Sequence, residues 1–270
     1  MNFVDKLAGI VRKNQSRLCI GLDPDPGLMP EGTGVFEFNK AIIDATRDLV
    51  CAYKPQFAFY EALGQEGMEA LRRTIRYIPG DVVVIADAKR GDIGNTSRAY
   101  ARAIFDDLGC DAATVNPYLG FDSIEPFIAY QEKGVFILCR TSNPGAADFQ
   151  SLRCETESGP RALFDIVAQK AVQWNKQGNI GLVVGATSPE ELKQIRQSYP
   201  ELPLLIPGIG AQRGDLALTV RYGADKKGER TIISSSRQII YASRGKDFAA
   251  AARRAALALR DEINQHLANL

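Results

Sequence analysis

The sequence predicts one α/β domain closed as a (β/α)8 barrel across its 270 residues. Three observations lead there. Eight short β-rich runs recur along the chain, and most are almost continuously apolar, as parallel strands buried on both faces must be. Stretches with an apolar stripe at i, i+3, i+4 separate them. No Pro/Gly/Ser-rich linker divides the series. An open doubly wound sheet is the alternative, but the GxGxxG fingerprint that usually follows its first strand is absent.

Taken in order, the chain begins with an amphipathic segment, MNFVDKLAGIVRKNQ, carrying Asp5 early and lacking the apolar core and cleavage site of a signal peptide. The expected strands are LCIGLD (18–23), LVCAYK (49–54), VVVIADAK (82–89) and AATVNP (112–117), then VFILCRT (135–141), IGLVVGAT (180–187), PLLIPGIG (203–210) and TIISSSR (231–237). Pro55 cannot donate to a ladder, so the second strand is expected to stop at Lys54. Helices are expected over 36–49, 66–78, 96–108, 161–177 and 189–199, with an Ala- and Arg-rich one over 247–266. Ser188-Pro189-Glu190-Glu191 reads as a helix start: Ser as cap, Pro first, Glu three residues after the cap. The segment 224–230 (ADKKGER) reads as a solvated loop.

Composition narrows the function. Lys and Arg number 33 against 32 for Asp and Glu, so no basic excess points to nucleic acid or an anionic membrane. The longest uncharged stretch, 177–189, is too short to span a bilayer. A soluble, cytoplasmic protein is expected. His266 is the only histidine, which leaves no imidazole base for a triad and no multi-histidine zinc site. The five cysteines are odd in number, scattered and never spaced CxxC, so buried reduced thiols are expected rather than disulfides or a metal site. Proton chemistry is left to Lys, Asp, Glu or Tyr.

A barrel builds its active site at the C-terminal strand ends, and six of these ends are polar. They are Asp23, Lys54, the Asp87-Ala88-Lys89-Arg90-Gly91-Asp92 run, Thr141-Ser142-Asn143, Pro207-Gly208-Ile209-Gly210-Ala211-Gln212, and Arg237. Polar groups at buried strand ends are costly unless they pair or bind something. Asp87 and Lys89, two apart on a strand, would leave the same face. With Lys54 and Asp92 they would alternate as Lys–Asp–Lys–Asp, each charge keeping its neighbour ionised. Two glycines in PGIGAQ can bare backbone N–H groups to an anion, with Gln212 and Arg237 as further donors, so a phosphate is expected there. Ser142 is placed to hydrogen-bond a ligand amide or carbonyl. Tyr53 and the Phe57–Tyr60 aromatics read as packing, and Gly91 as the point where the chain turns away from its own barrel mouth.

These residues resemble a known family. DAKRGDIGNT (87–96) matches the DxKxxDIxxT signature of orotidine 5′-phosphate decarboxylases, which make UMP. GLDPDP (21–26), AYKPQFAFYE (52–61), TSNPGA (141–146), VVGATSPEE (183–191), PGIGAQ (207–212) and SSSRQIIYAS (234–243) follow in the family's order over nearly the whole chain and are similar to its longer bacterial branch. The resemblance implies a cofactor-free, metal-free decarboxylase of orotidine 5′-phosphate acting as a homodimer with shared sites. By it, Asp23 and Lys54 would hold ribose hydroxyls, Asp87 would face the substrate carboxylate, and Lys89 would protonate C6. Asp92 and Thr96 would reach into the neighbouring subunit's site, Ser142 would read the pyrimidine, and Pro207, Gln212 and Arg237 would surround the phosphate. Two departures bear on that grip: Arg213 stands where many members have Gly, and Ser236 where Gly is frequent before the arginine.

Rival readings remain open from sequence. A Schiff-base aldolase would use Lys54 or Lys89 as nucleophile, which needs a lowered lysine pKa. A Mg2+-dependent barrel acting on a sugar phosphate and a nucleotide-binding regulator without chemistry are the others.

Overall fold

The computed structural model describes residues 1–157, 159–210 and 214–270. Eight parallel strands close into a barrel in sequential order: β1 (Leu18–Leu22), β2 (Ala52–Pro55), β3 (Val83–Arg90), β4 (Ala112–Val115), β5 (Gly134–Arg140), β6 (Ile180–Val184), β7 (Leu204–Pro207) and β8 (Thr231–Ser235), which pairs back onto β1. All eight predicted runs contribute one strand each. β1, β4, β6 and β8 are buried throughout, which is why their sequences carry no alternation. β2 runs one residue past its predicted end. Pro55 pairs with Leu22 as the terminal rung, where it need not donate, and the Gln56 N–H takes over the bond to the Leu22 carbonyl at 3.4 Å.

The helices differ from expectation mainly at their ends. Helix Gly64–Tyr77 starts two residues before the predicted 66–78 and ends one residue short of it, and Val35–Thr46 stops short of 49. The 96–108 segment starts at Gly94 and finishes in a π-helical turn, Ala103–Asp107. The predicted 161–177 helix is Leu163–Trp174, because Arg161 and Ala162 instead pair with Arg153 and Cys154 in a small antiparallel ribbon. Helix Pro189–Ser198 begins where predicted, but the Ser188 side chain makes no capping bond. Segment 224–230 is tied down rather than free: the Asp225 carboxylate accepts from the Arg230 N–H at 2.9 Å, and the Gly228 carbonyl from Arg17 Nε at 2.7 Å. No helix among the described residues is long and apolar enough to cross a membrane.

The N-terminal helix, Phe3–Asn14, closes the lower end of the barrel. Its Phe3 ring meets Phe136 edge-on at 5.6 Å. A Cβ on Gly134 would lie 2.7 Å from that ring, so the glycine is what lets the plug seat. Cys19, Cys51, Cys110 and Cys139 are buried free thiols as expected, while Cys154 is half-buried. Burial pushes the Cys19 thiol up to about 12, too high for a thiolate nucleophile near neutrality.

Candidate active site

A cavity of about 570 Å3 opens at the C-terminal strand ends. At its floor lies Asp87, 7% exposed and held by three donors. Lys54 Nζ reaches Oδ2 at 2.6 Å, while Lys89 Nζ at 2.6 Å and Thr114 Oγ1 at 3.0 Å share Oδ1. Burial alone would raise the Asp87 pKa, but the charges of Lys54 and Lys89 outweigh it and hold the carboxyl well below the usual carboxylate range. For Lys54, burial lowers the pKa and the carboxylates of Asp87 and Asp23 more than reverse it, so the ammonium is held above its ordinary range.

Strand alternation is not what brings Asp87 and Lys89 together. β3 carries a bulge between Ala86 and Arg90: the partner of Ala86 is Ala113, yet that of Arg90 is Val115. Within the bulge Lys89 takes φ +48°, a left-handed conformation that costs about 1–2 kcal/mol for a side-chain-bearing residue. Thr114 holds it there, its hydroxyl accepting the Lys89 N–H at 3.0 Å while donating to Asp87. Thr114 was missed from sequence. Its signal is a threonine 1% exposed within the apolar strand AATV, a buried hydroxyl that must find partners.

The other predicted residues divide into three groups. Asp23, Ser142, Pro207 and Arg237 line the same cavity as the Lys–Asp–Lys cluster. Asp23 leaves Oδ1 buried and, among the described residues, without a hydrogen-bond partner, which is costly unless a ligand donates to it. Its strand end is fixed by Tyr60, whose hydroxyl donates to the Leu22 carbonyl at 3.1 Å, and by Tyr241, which donates to the Asp23 carbonyl at 2.8 Å. Phe57 and Tyr53 pack in the core as expected, while Phe59 is 37% exposed. Gln150, also missed from sequence, clasps Thr141 beside Ser142, accepting its N–H and donating to its hydroxyl, both at 2.8 Å. Arg237 is exposed and, among the described residues, has no ion-pair partner. Gly208 and Gly210 take φ +107° and +84° where β7 ends, the left-handed geometry that bares backbone N–H groups.

The second group, Asp92 and Thr96, does not line the cavity of its own chain. The Asp92 carboxylate accepts the Ile93 N–H at 2.7 Å and pairs with no cation among the described residues. Gly91 is needed for a different reason than the one expected: a Cβ there would sit 2.7 Å from the Asn116 carbonyl oxygen, so close passage, not a left-handed turn, requires glycine. The third group is Gln212, together with Arg213, which lie outside the described residues.

Comparison with known proteins agrees with this barrel. The family model described as orotidine 5′-phosphate decarboxylase / HUMPS matches residues 16–255. This chain belongs to that family. A relative named orotidine 5′-phosphate decarboxylase from Dehalococcoides mccartyi is 57% identical over 98% of both chains. Another of the same name from Roseiflexus castenholzii is 51% identical over 99% of both. Among solved family structures, that of Leishmania donovani OMP decarboxylase superposes with a TM-score of 0.84 at 39% identity, covering 99% of each chain.

Proposed function

We propose that this chain removes CO2 from orotidine 5′-phosphate to give UMP, in pyrimidine synthesis in the cytoplasm, as a carboxy-lyase working by placed charge alone. The observation that carries the reading is the buried carboxylate of Asp87 fixed between two ammonium groups on the cavity floor. Breaking the C6–carboxylate bond leaves an electron pair in the ring plane, where the π system cannot spread it. Lys89, its side chain 45% exposed toward the cavity, then acts twice. Its positive charge stabilises the developing pair, and its Nζ proton passes to C6, after which solvent restores the ammonium. Asp87 faces the departing carboxylate and opposes it in the ground state more than in the transition state.

The remote end supplies binding energy. Arg237 and the glycine-rich end of β7, with Pro207 and Gln212, take the phosphate; Asp23 Oδ1 and Lys54 take ribose hydroxyls; Ser142 reads the base. Asp92 and Thr96 serve the site of a second copy. Supporting that, the loops beside them expose apolar side chains that a partner would cover: Ile93 at 61%, Leu119 at 51% and Tyr118 at 80%. The Schiff-base reading is disfavoured by the raised proton affinity of Lys54.

The test is loss of orotidine 5′-phosphate and appearance of UMP and CO2 in the presence of EDTA with no cofactor added. Activity abolished by chelation would move the reading to a Mg2+-dependent barrel. The shared site is tested by mixing inactive Asp92→Ala and Lys89→Ala chains. Up to half the normal activity per heterodimer is expected, since both lesions can fall in one site. Confirmed subunit exchange with no recovery places Asp92 in its own chain's site.

A further inference from the structure

Ser236 lies between the buried end of β8 and Arg237, and its hydroxyl turns across the barrel closure to the end of the neighbouring strand β1. It donates to Asp23 Oδ2 at 2.6 Å, with the Gly21 carbonyl at 3.2 Å as a second acceptor. Gly21 leaves room for this contact. A Cβ at that position would lie 2.8 Å from the Ser236 Cβ and 3.2 Å from Asp23 Oδ1, so any side chain there would push the two apart. With Oδ2 engaged, the other carboxylate oxygen is the one left buried and unpartnered on the cavity wall. The backbone at this point is held independently, the Tyr241 hydroxyl accepting from the Asp25 N–H at 2.6 Å as it donates to the Asp23 carbonyl.

A carboxylate is symmetric and turns about its terminal torsion, which is broad and roughly two-fold. One short, charge-assisted bond removes that freedom and decides which oxygen meets the ligand. We propose that Ser236 is a positioning residue that occupies Oδ2 of Asp23 and thereby presents Oδ1 to a ribose hydroxyl of the nucleotide. Recognition of the sugar then depends on a residue from the strand end that also carries the phosphate arginine. A glycine at 236 could not do this, having no donor. The proposal rests on reading Asp23 as a ribose ligand.

The experiment uses ribose 5-phosphate and inorganic phosphate as competitive inhibitors of turnover. It compares the wild type with Ser236→Ala, Ser236→Gly, Asp23→Ala and the Ser236→Ala/Asp23→Ala double variant. Loss of the hydroxyl is expected to weaken ribose 5-phosphate about fivefold, the size of one hydrogen bond, and to leave inorganic phosphate within about twofold of wild type. In the Asp23→Ala background the Ser236→Ala effect should fall below about twofold, because the two residues act as one unit. Equal weakening of both inhibitors would assign Ser236 to the phosphate grip and overturn the proposal, as would an undiminished effect in the Asp23→Ala background. If Asp23→Ala alone binds ribose 5-phosphate like the wild type, the ribose reading itself fails and takes the proposal with it. Ser236→Gly should repeat the alanine result, which keeps the test decisive should either variant fold poorly.

Discussion

At the lower end of the barrel the guanidinium of Arg196, 6% exposed, is closed on the carbonyls of Gly223, Pro200, Leu202 and Arg230, whereas at the upper end Lys54, Asp87 and Lys89 answer one another around an open cavity. Both clusters bury charge. The carbonyls below are fixed dipoles at a helix end and in the turns leading into β7 and β8, so each nitrogen of Arg196 has an acceptor, although burial still lowers its pKa to about 10. Above, two ammonium groups share the Asp87 carboxylate beside an open cavity, and among the described residues Asp23 Oδ1 and Ser235 Oγ are buried with no hydrogen-bond partner. A finished polar network rigidifies; an unfinished one beside a cavity is a place for a ligand. The lower end should therefore answer mutation in stability and the upper end in turnover.

The largest expected effect is on chemistry. Lys89→Ala should lower kcat by more than about 1000-fold, roughly 4 kcal/mol of barrier, with UMP binding still measurable and the melting temperature unchanged or higher. A kcat within about tenfold of wild type removes Lys89 from proton transfer. Arg196→Ala should show the converse. The carbonyls of Pro200 and Leu202 lose the guanidinium, and those of Gly223 and Arg230 lose one of two donors, destabilising the fold by about 3 kcal/mol and lowering Tm by roughly 6 °C or more, while kcat per folded molecule stays the same. A matching loss of kcat would mean the two ends are coupled. Arg237→Ala should cut kcat/KM about 100-fold on the phosphorylated substrate, near 2.7 kcal/mol, and hardly at all on the nucleoside, which never makes the contact. Equal loss on both substrates would make Arg237 structural.

The smallest expected effect is none, and it concerns pH. Asp87 has its folded pKa depressed, so its contribution to stability is present above about pH 3.9 and lost as pH falls through the folded value. Lys54 has its folded pKa raised, so its contribution is present below about pH 10.4 and lost as pH rises through the folded value. Between about pH 5 and 9 neither group should titrate in the kcat/KM profile. A limb in that window that moves in Lys54→Arg would show the array to be less tightly coupled than its 2.6 Å contacts imply.

Much of this was legible locally. Each barrel strand is an apolar run, most of the polar run ends named from sequence meet the cavity, and the order DAKRGDIGNT pointed to the family. Helix ends were less so: Arg161 and Ala162 left the predicted helix to pair with Cys154 and Arg153 in the antiparallel ribbon. Ser188 occupies the cap position without using its hydroxyl, since the sequence pattern says where a cap can sit but not which way its side chain turns.

The sequence by itself determined the barrel, the roster of charged strand ends and the single histidine, because period, composition and residue type are properties of short stretches of chain. The tertiary structure decided how the charges meet. Lys89 reaches Asp87 through a bulge held by Thr114 from the next strand, Asp23 is turned by Ser236 from across the barrel closure, and Gln150 clasps Thr141 from a loop nine residues on. Each of these is a contact whose geometry only packing sets, so residue type and period along the chain do not specify it.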